Sequence, residues 1–354
     1  MVAVEILDLV LGHKYGCGMR QSAVKFLLVL VFLLAFAVRS PAPLVYRPGE
    51  GWEYEEPGEV TGAWRKLKAK DQLEVAQAAF DKKDYSLARR AADRTVKQWP
   101  FSDYAPRAEY LLARCDEAAK KDERAFKEYQ KLIEKYPKSA NYDEVLERQF
   151  AICGRFLEGE RFKLWNIIPT LPSMEKTVKL YEQLIKNGPY SDVAPQSQMN
   201  IGAAREKQSR FLNENEPLIQ AAKAYDIAAD RYRDRPKIAS EAMFKAGLAY
   251  DKQARTAEYD QSTAGKAIDT FQDFKTLFPD DPRTSEGDKL IGELKNEQAR
   301  GNYEIARFYE HGNHWRSALV YYNEVVIKGP KSPYAAISLQ RIAELKKLTA
   351  PSAK

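Results

Sequence analysis

Amphipathic helical runs recur along most of this chain, and a proline follows each of them. The prolines are Pro100, Pro137, Pro189, Pro236, Pro279 and Pro330, separated by 37, 52, 47, 43 and 51 residues. Proline stops a helix because it lacks an amide donor and clashes with the preceding turn. No sustained alternation of apolar and polar residues, which would indicate strands, is found between turn signals. The pattern predicts an all-α fold from Ala63 to Leu348.

Two positions inside these runs repeat as well. Twelve residues before the prolines stand Ala88, Ala125, Thr177, Ala224, Ala267 and Ala318. Eight residues before them stand Ala92, Tyr129, Tyr181, Ala228, Phe271 and Tyr322. A small residue allows two helices to cross closely, and a large one a turn later fills the gap between helix pairs. Ala76, Ala113 and Ala306, each 24 residues before a proline, are expected on the other side of that crossing.

This arrangement resembles the tetratricopeptide repeat, a helical hairpin of about 34 residues that stacks into a superhelix. The resemblance implies an α-solenoid of about five to six tetratricopeptide-like hairpins. Because the proline spacings exceed the usual period, the repeats are expected to carry lengthened helices or loops.

The amino terminus has the composition of a targeting segment. Residues 26–38 are thirteen apolar residues without a charge, preceded by Arg20 and Lys25. As a helix they would rise about 20 Å, short of a hydrocarbon core of about 30 Å. A cleaved secretory signal is therefore favoured, and an uncleaved anchor remains the alternative. Met19 begins a better signal than Met1 does, so we expect translation to start there.

The chain is accordingly predicted to have four parts. Residues 1–42 are the leader and signal, 43–62 an extended linker, 63–348 the repeat solenoid and 349–354 a tail. The linker holds four glycines and three prolines and is expected to lack regular structure. A second irregular segment, 164–173, interrupts the third hairpin. Its apolar residues either pack against the solenoid or contact a partner.

Charge and composition exclude several functions. Lys and Arg (56) exceed Asp and Glu (50) by 6, and the opposite charges are interleaved, which is untypical of nucleic-acid-binding proteins. The chain holds three His and three Cys, and it has no nucleotide-binding, hydrolase or metalloprotease motif. The sequence therefore gives no basis for an enzyme, a cofactor or a metal site.

Cys115 and Cys153 end matching strings 38 residues apart. We expect buried thiols there, and a disulfide is the alternative.

Protein binding is the function that remains, and we expect the first helices of the hairpins to carry the binding surface. Projection of the repeat positions selects a candidate surface on hairpins two and three, with Val145 beside it. Its residues are Arg107, Tyr110, Arg114, Arg148, Ile152 and Arg155. Guanidinium groups bind carboxylates bidentately, so the surface is suited to an apolar peptide that carries a carboxylate. In the alternative interpretation, these arginines pair with neighbouring carboxylates of the chain, namely Glu109, Glu117, Glu144 and Glu147.

An exported solenoid with junction strings such as YPKS and GPYSD is similar to the BamD family, outer-membrane lipoproteins of the β-barrel assembly machinery. The resemblance implies that the first repeats receive carboxy-terminal peptides of unfolded barrel proteins and that later repeats dock the barrel-forming subunit. Unlike that family, the chain has no cysteine after its signal, since none lies between Cys17 and Cys115. A periplasmic protein, or one associated with the membrane through residues 26–38, fits this departure. Another exported repeat scaffold, in envelope maintenance or secretion, is the alternative.

Overall fold

The computed structural model describes residues 44–47, 51–54, 64–138, 142–164, 168–169, 172–256 and 261–349. The chain divides into two compact units, Met1–Lys68 and Ala69–Lys354. The apolar segment 26–38, on which the prediction of a signal depends, lies outside the described residues.

The first unit contains a short pair of strands. Strand β1 (Leu44–Arg47) pairs antiparallel with β2 (Gly51–Tyr54), so that Tyr46 lies opposite Trp52. The prediction that this stretch lacks regular structure was therefore wrong. Aromatic and β-branched residues favour strands, and Val45, Tyr46 and Trp52 are of these types.

The second unit is an all-α solenoid. Its helices are α1 (Ala69–Asp81), α2 (Tyr85–Gln98), α3 (Ala105–Ala118), α4 (Asp122–Lys135), α5 (Tyr142–Glu158), α6 (Met174–Asn187), α7 (Ala194–Leu212), α8 (Glu216–Arg231), α9 (Pro236–Thr256), α10 (Gln261–Leu277), α11 (Thr284–His311), α12 (Trp315–Lys328) and α13 (Pro333–Thr349). Consecutive helices pack together, and α1, α5, α7 and α11 also touch the next helix but one. The predicted stack of hairpins is confirmed: α1 to α12 form hairpins one to six, and α13 follows as a single helix.

Five of the six prolines follow the second helix of a hairpin, as predicted. In each case one residue separates the last helical residue from the proline, as Trp99 separates α2 from Pro100. Pro236 is the exception and corrects the prediction, because it is the first residue of α9. A proline is tolerated there since the first helical amides have no partner inside the helix.

The exception shifts the repeat register of hairpin four by three residues. Helix α8 ends at Arg231 and is capped by Tyr232, so the equivalent positions are Ala221 and Tyr225. These replace the predicted Ala224 and Ala228. The small residues at the first position are all inaccessible to solvent: Ala88, Ala125, Thr177, Ala221, Ala267 and Ala318. Five of the six residues at the second position are then buried aromatic side chains: Tyr129, Tyr181, Tyr225, Phe271 and Tyr322.

Left-handed residues form the turns inside several hairpins. Lys83, Lys120, Asn213 and Asn313 have φ angles of 63°, 57°, 55° and 59°. A left-handed residue reverses the chain at the end of the first helix, and Asn accepts this conformation more easily than Lys. Asp84 then caps α2, since its side chain accepts the amide hydrogen of Leu87 at 3.0 Å.

An insertion separates the two helices of hairpin three. Strands β3 (Lys163–Leu164) and β4 (Ile168–Pro169) pair antiparallel inside it. Just before β3, Phe162 is buried and stacks on Phe156 of α5 with ring centroids 4.1 Å apart. This start of the insertion therefore packs against the solenoid. Of the apolar residues that follow, Trp165, Ile167 and Leu171 lie outside the described residues.

Candidate functional site

The candidate surface lies on α3 and α5, the first helices of hairpins two and three. The structure brings together three of its predicted residues around one hydroxyl group. The Oη of Tyr110 lies 3.0 Å from Nη1 of Arg114 and 3.1 Å from Nε of Arg148. Arg114 also lies over the ring of Phe80 in α1, 5.5 Å from its centroid. Phe80 was not predicted, because it lies in hairpin one and repeat positions were projected only onto hairpins two and three.

Glu144 completes this cluster from the first turn of α5. It accepts a hydrogen bond from the Tyr110 hydroxyl and lies 2.9 Å from Nη2 of Arg148 and 3.9 Å from Arg114. The hydrogen bond from Tyr110, together with Arg148 and Arg114, lowers the pKa of Glu144 below its ordinary value. Glu144 is therefore held as the anion that balances the two arginines.

A second carboxylate, Glu117, lies deeper between the same helices. It accepts a 2.8 Å hydrogen bond from the buried Tyr129 of α4. It also lies 3.4 Å from Arg148 and 3.5 Å from Arg155. Burial, and then the Glu117 charge, raises the pKa of Tyr129, so this hydroxyl remains a donor. Arg148 is thus shared by two carboxylates.

Arg155 is the most heavily paired of the predicted arginines. Its Nε contacts Asp122 and lies 3.9 Å from Glu160, in addition to its pair with Glu117. The arginines therefore pair within the chain, as the alternative interpretation held, mainly through Glu117 and Glu144. Glu109 instead lies near a lysine, Lys135, at 3.7 Å, and Glu147 is exposed.

Three residues that the projection placed at this surface lie outside the cluster around Tyr110. Ile152 is inaccessible to solvent and belongs to the hydrophobic core, and so does Val145. They cannot offer an apolar contact to a peptide, because the side of α5 that carries them packs inward. Arg107 is exposed near the start of α3, so its charge faces solvent.

The tyrosine–glutamate–cation triad of Tyr129, Glu117 and Arg148 recurs along the solenoid. In hairpin four, Glu206 accepts from Tyr225 at 3.0 Å and pairs with Lys252 of α9 at 3.0 Å. In hairpin six, Glu310 accepts from Tyr322 at 2.6 Å and pairs with Arg341 of α13. Each triad joins both helices of one hairpin to the helix that follows that hairpin. The shared spacings in hairpins two and six, 12 residues from Glu to Tyr and 31 from Glu to Arg, are a sequence signal that was missed.

The two cysteines near the site are structural. Cys115 and Cys153 are free and buried, as expected from their matching repeat positions. Burial raises the pKa of Cys115 to about 12 and also raises that of Cys153.

Within the described residues, no group of His, Cys, Asp and Glu has the geometry to hold a metal ion. Over the same residues, no helix combines the length and the apolar character needed to cross a bilayer.

Two family models match the sequence. Residues 107–139, which span most of α3 and all of α4, match a tetratricopeptide repeat. Residues 172–354, slightly more than half of the chain, match the YfiO model, described as outer membrane lipoprotein. The chain belongs to the YfiO family. Both matches support a tetratricopeptide-repeat scaffold that binds proteins, and the YfiO match is consistent with a place in the cell envelope.

Solved structures similar to this YfiO-family chain are also repeat proteins. A tetratricopeptide repeat protein from Parabacteroides merdae is 11% identical, with a TM-score of 0.29, over 78% of this chain and 98% of that one. The C-terminal part of a repeat protein from Cytophaga hutchinsonii is 13% identical, with a TM-score of 0.34, over 78% and 90%. MamA from Desulfovibrio magneticus is 13% identical, with a TM-score of 0.31, over 61% and 98%. No curated protein matches the sequence.

Proposed function

We propose that this YfiO-family protein is a non-enzymatic assembly factor of BamD type in the cell envelope. Hairpins two and three receive carboxy-terminal peptides of unfolded outer-membrane barrel proteins, and later hairpins dock the barrel-forming subunit. The observation that carries the proposal is the YfiO match over residues 172–354, joined to the repeat match over hairpin two. Residues 63–348 form the binding part, on the periplasmic side, and residues 26–38 provide any membrane association.

The geometry of the site suggests how a peptide carboxylate would bind. Glu144 is the more exposed partner in its cluster, with 42% of its side chain accessible against 27% for Arg148. An incoming carboxylate would displace Glu144 and accept the same hydrogen bonds from Tyr110, Arg148 and Arg114. Because one carboxylate replaces another, few polar groups lose a partner in the exchange. Arg107, exposed on α3 with Tyr110 and Arg114, adds positive charge that attracts the anionic end of the peptide.

Charge reversal tests this exchange. Arg114→Glu combined with Arg148→Glu is expected to weaken binding of a fluorescent peptide with a free carboxylate at least tenfold, since hydrogen bonds to charged groups contribute about 1.5–3 kcal/mol. Glu144→Gln is expected to strengthen binding, because a neutral amide competes less well for the arginines. Amidation of the peptide's end should abolish both effects.

Arg341→Glu provides the matched control, because Arg341 makes in hairpin six the contact that Arg148 makes in hairpin two. It is expected to disturb local packing similarly while leaving peptide affinity unchanged. Equal affinity in the wild type, Glu144→Gln and the double variant would show that these arginines only join helices.

The BamD-type role itself is tested by crosslinking the full chain in its own envelope and identifying captured proteins by mass spectrometry. Recovery of the barrel-forming subunit, or of unfolded porins, is the expected result. If only other envelope proteins are captured, the chain is a different exported scaffold, acting in envelope maintenance or secretion, and the proposal is overturned.

A further inference from the structure

Asp122, the first residue of α4, is a buried carboxylate with an unsatisfied oxygen. Only 1% of its side chain is accessible to solvent. Its Oδ2 accepts from Nε of Arg155, whereas Oδ1 is inaccessible and has no hydrogen-bond donor among the described residues. A buried acceptor without a donor is rare in native proteins and calls for a missing proton, ion or water.

Glu160 brings a second carboxyl group to the same cavity. Gly159, with a φ of 119°, turns the chain at the end of α5 and returns Glu160 toward hairpin two. There the Glu160 carboxyl group is in hydrogen-bonding contact with Asp122, and its Oε2 lies 3.9 Å from Nε of Arg155. Two carboxyl groups therefore meet beside a single guanidinium group. Both line a cavity of about 10 Å³, which is about the least that holds one water molecule.

The other charged groups around the pair do not replace the missing donor. From α3, Glu117 pairs with the far side of Arg155 at 3.5 Å. The remaining charged residues in the cavity wall are Lys120, Lys121, Glu123, Arg161 and Lys163. Of these, Lys163 donates its Nζ hydrogen to the carbonyl oxygen of Lys120 at 3.1 Å, and Glu123 accepts from Lys127 at 3.0 Å. Among the residues that the structure describes, Asp122 Oδ1 therefore has no donor.

We propose that Glu160 carries a proton that it shares with Oδ1 of Asp122 in a hydrogen bond, and that this proton holds the start of the β3–β4 segment on hairpin two. A protonated Glu160 donates to Asp122 Oδ1 and satisfies the buried acceptor. Like charges in contact cannot both ionise without cost, so the shared proton is the stable arrangement. Two residues later, Phe162 inserts against Phe156, so release of Glu160 loosens this anchor.

The proton site has a defined pH range. Burial, followed by the contact with Asp122, raises the pKa of Glu160 from 4.5 to about 6. The folded state then binds more protons than the unfolded state between these two values. Stability of this contact is therefore greatest in acid and falls as the pH rises from about 4.5 through about 6. Residues 160–164 are therefore bound most tightly below about pH 4.5 and more loosely as the pH rises through about 6.

Hydrogen–deuterium exchange of the full chain tests the proposal, with rates over residues 160–164 corrected for intrinsic exchange. Wild type should lose protection there as the pH rises from 5 to 7.5. Glu160→Gln should stay protected at every pH, because its amide donates permanently to Asp122. Glu158→Gln is the matched control, since Glu158 is exposed and outside the cavity, and it should behave as wild type does.

A second variant covers the case in which Glu160→Gln fails to fold. Asp122→Asn places an amide donor on the other partner and should likewise remove the pH dependence. Carboxyl carbon NMR should show Glu160 titrating near pH 6. Titration near pH 4.5, or equal pH dependence in wild type and the glutamine variant, would mean that a water molecule satisfies Asp122 and would overturn the shared proton.

Discussion

Gly202 offers a sharp test of how the hairpins pack, because it lies beneath the repeated aromatic residue of hairpin four. It belongs to α7, and the ring of Tyr225 from α8 covers it. A Cβ atom at this position would lie 2.4 Å, 2.6 Å and 2.7 Å from three ring carbons. Gly202→Ala therefore forces the ring or the helix to move.

The expected magnitude follows from two opposing terms. Alanine in place of glycine in a helix interior favours folding by about 1 kcal/mol. Overpacking a closed core costs about 1–3 kcal/mol, and the Tyr225 ring has little room because its hydroxyl is bound to Glu206 at 3.0 Å. The variant should therefore lose up to about 2 kcal/mol of the free energy of unfolding.

Gly292→Ala in α11 is the matched control. Gly292 is a helical glycine whose added Cβ would meet nothing within 4 Å. It should gain about 1 kcal/mol from helix propensity alone. Urea denaturation followed by circular dichroism measures both variants, and hydrogen exchange in α7 and α8 shows whether the loss is local. Equal changes in the two variants would refute the close crossing of Gly202 and Tyr225.

Three further predictions concern turns, triads and thiols. Lys120→Gly should stabilise hairpin two by up to about 1 kcal/mol in the same denaturation assay, because glycine removes the strain of the left-handed residue. Tyr129→Phe should cost about 1–2 kcal/mol, since Glu117 loses a 2.8 Å hydrogen bond while its arginines remain. Cys115 and Cys153 should react with a thiol reagent at a rate set by unfolding, because burial raises the pKa of both. Fast labelling of the native protein would contradict the buried geometry.

Local patterns were reliable where their physical cause is local. Proline ends or begins a helix through its own missing amide, so the helix boundaries near Pro100 were predictable from spacing alone. Pro236 misled the prediction because the same chemistry allows a proline at the start of a helix, and spacing does not separate the two cases. Once the end of α8 is known, the buried aromatic of hairpin four is Tyr225 rather than a small residue.

The candidate site was only partly predictable. The projected positions did place Tyr110, Arg114 and Arg148 together. The projection failed for Ile152, because hairpins two and four pack against α5 and these contacts decide which side of α5 is buried. Which carboxylate each arginine meets was undetermined for the same reason. Arg155 pairs with Asp122, 33 residues away, through a contact that no local spacing encodes.

The amino-acid sequence by itself determined the stack of about five to six helical hairpins and, outside hairpin four, the small and aromatic positions that join them, because these depend on backbone chemistry and side-chain size. The tertiary structure decided the pairing of the charges. Arg148 meets Glu117 because the first helices of hairpins two and three lie together, and Asp122 meets Glu160 because the end of α5 returns to the start of α4. Charge pairing depends on distances of a few ångströms between such helices, and those distances arise only when the hairpins stack.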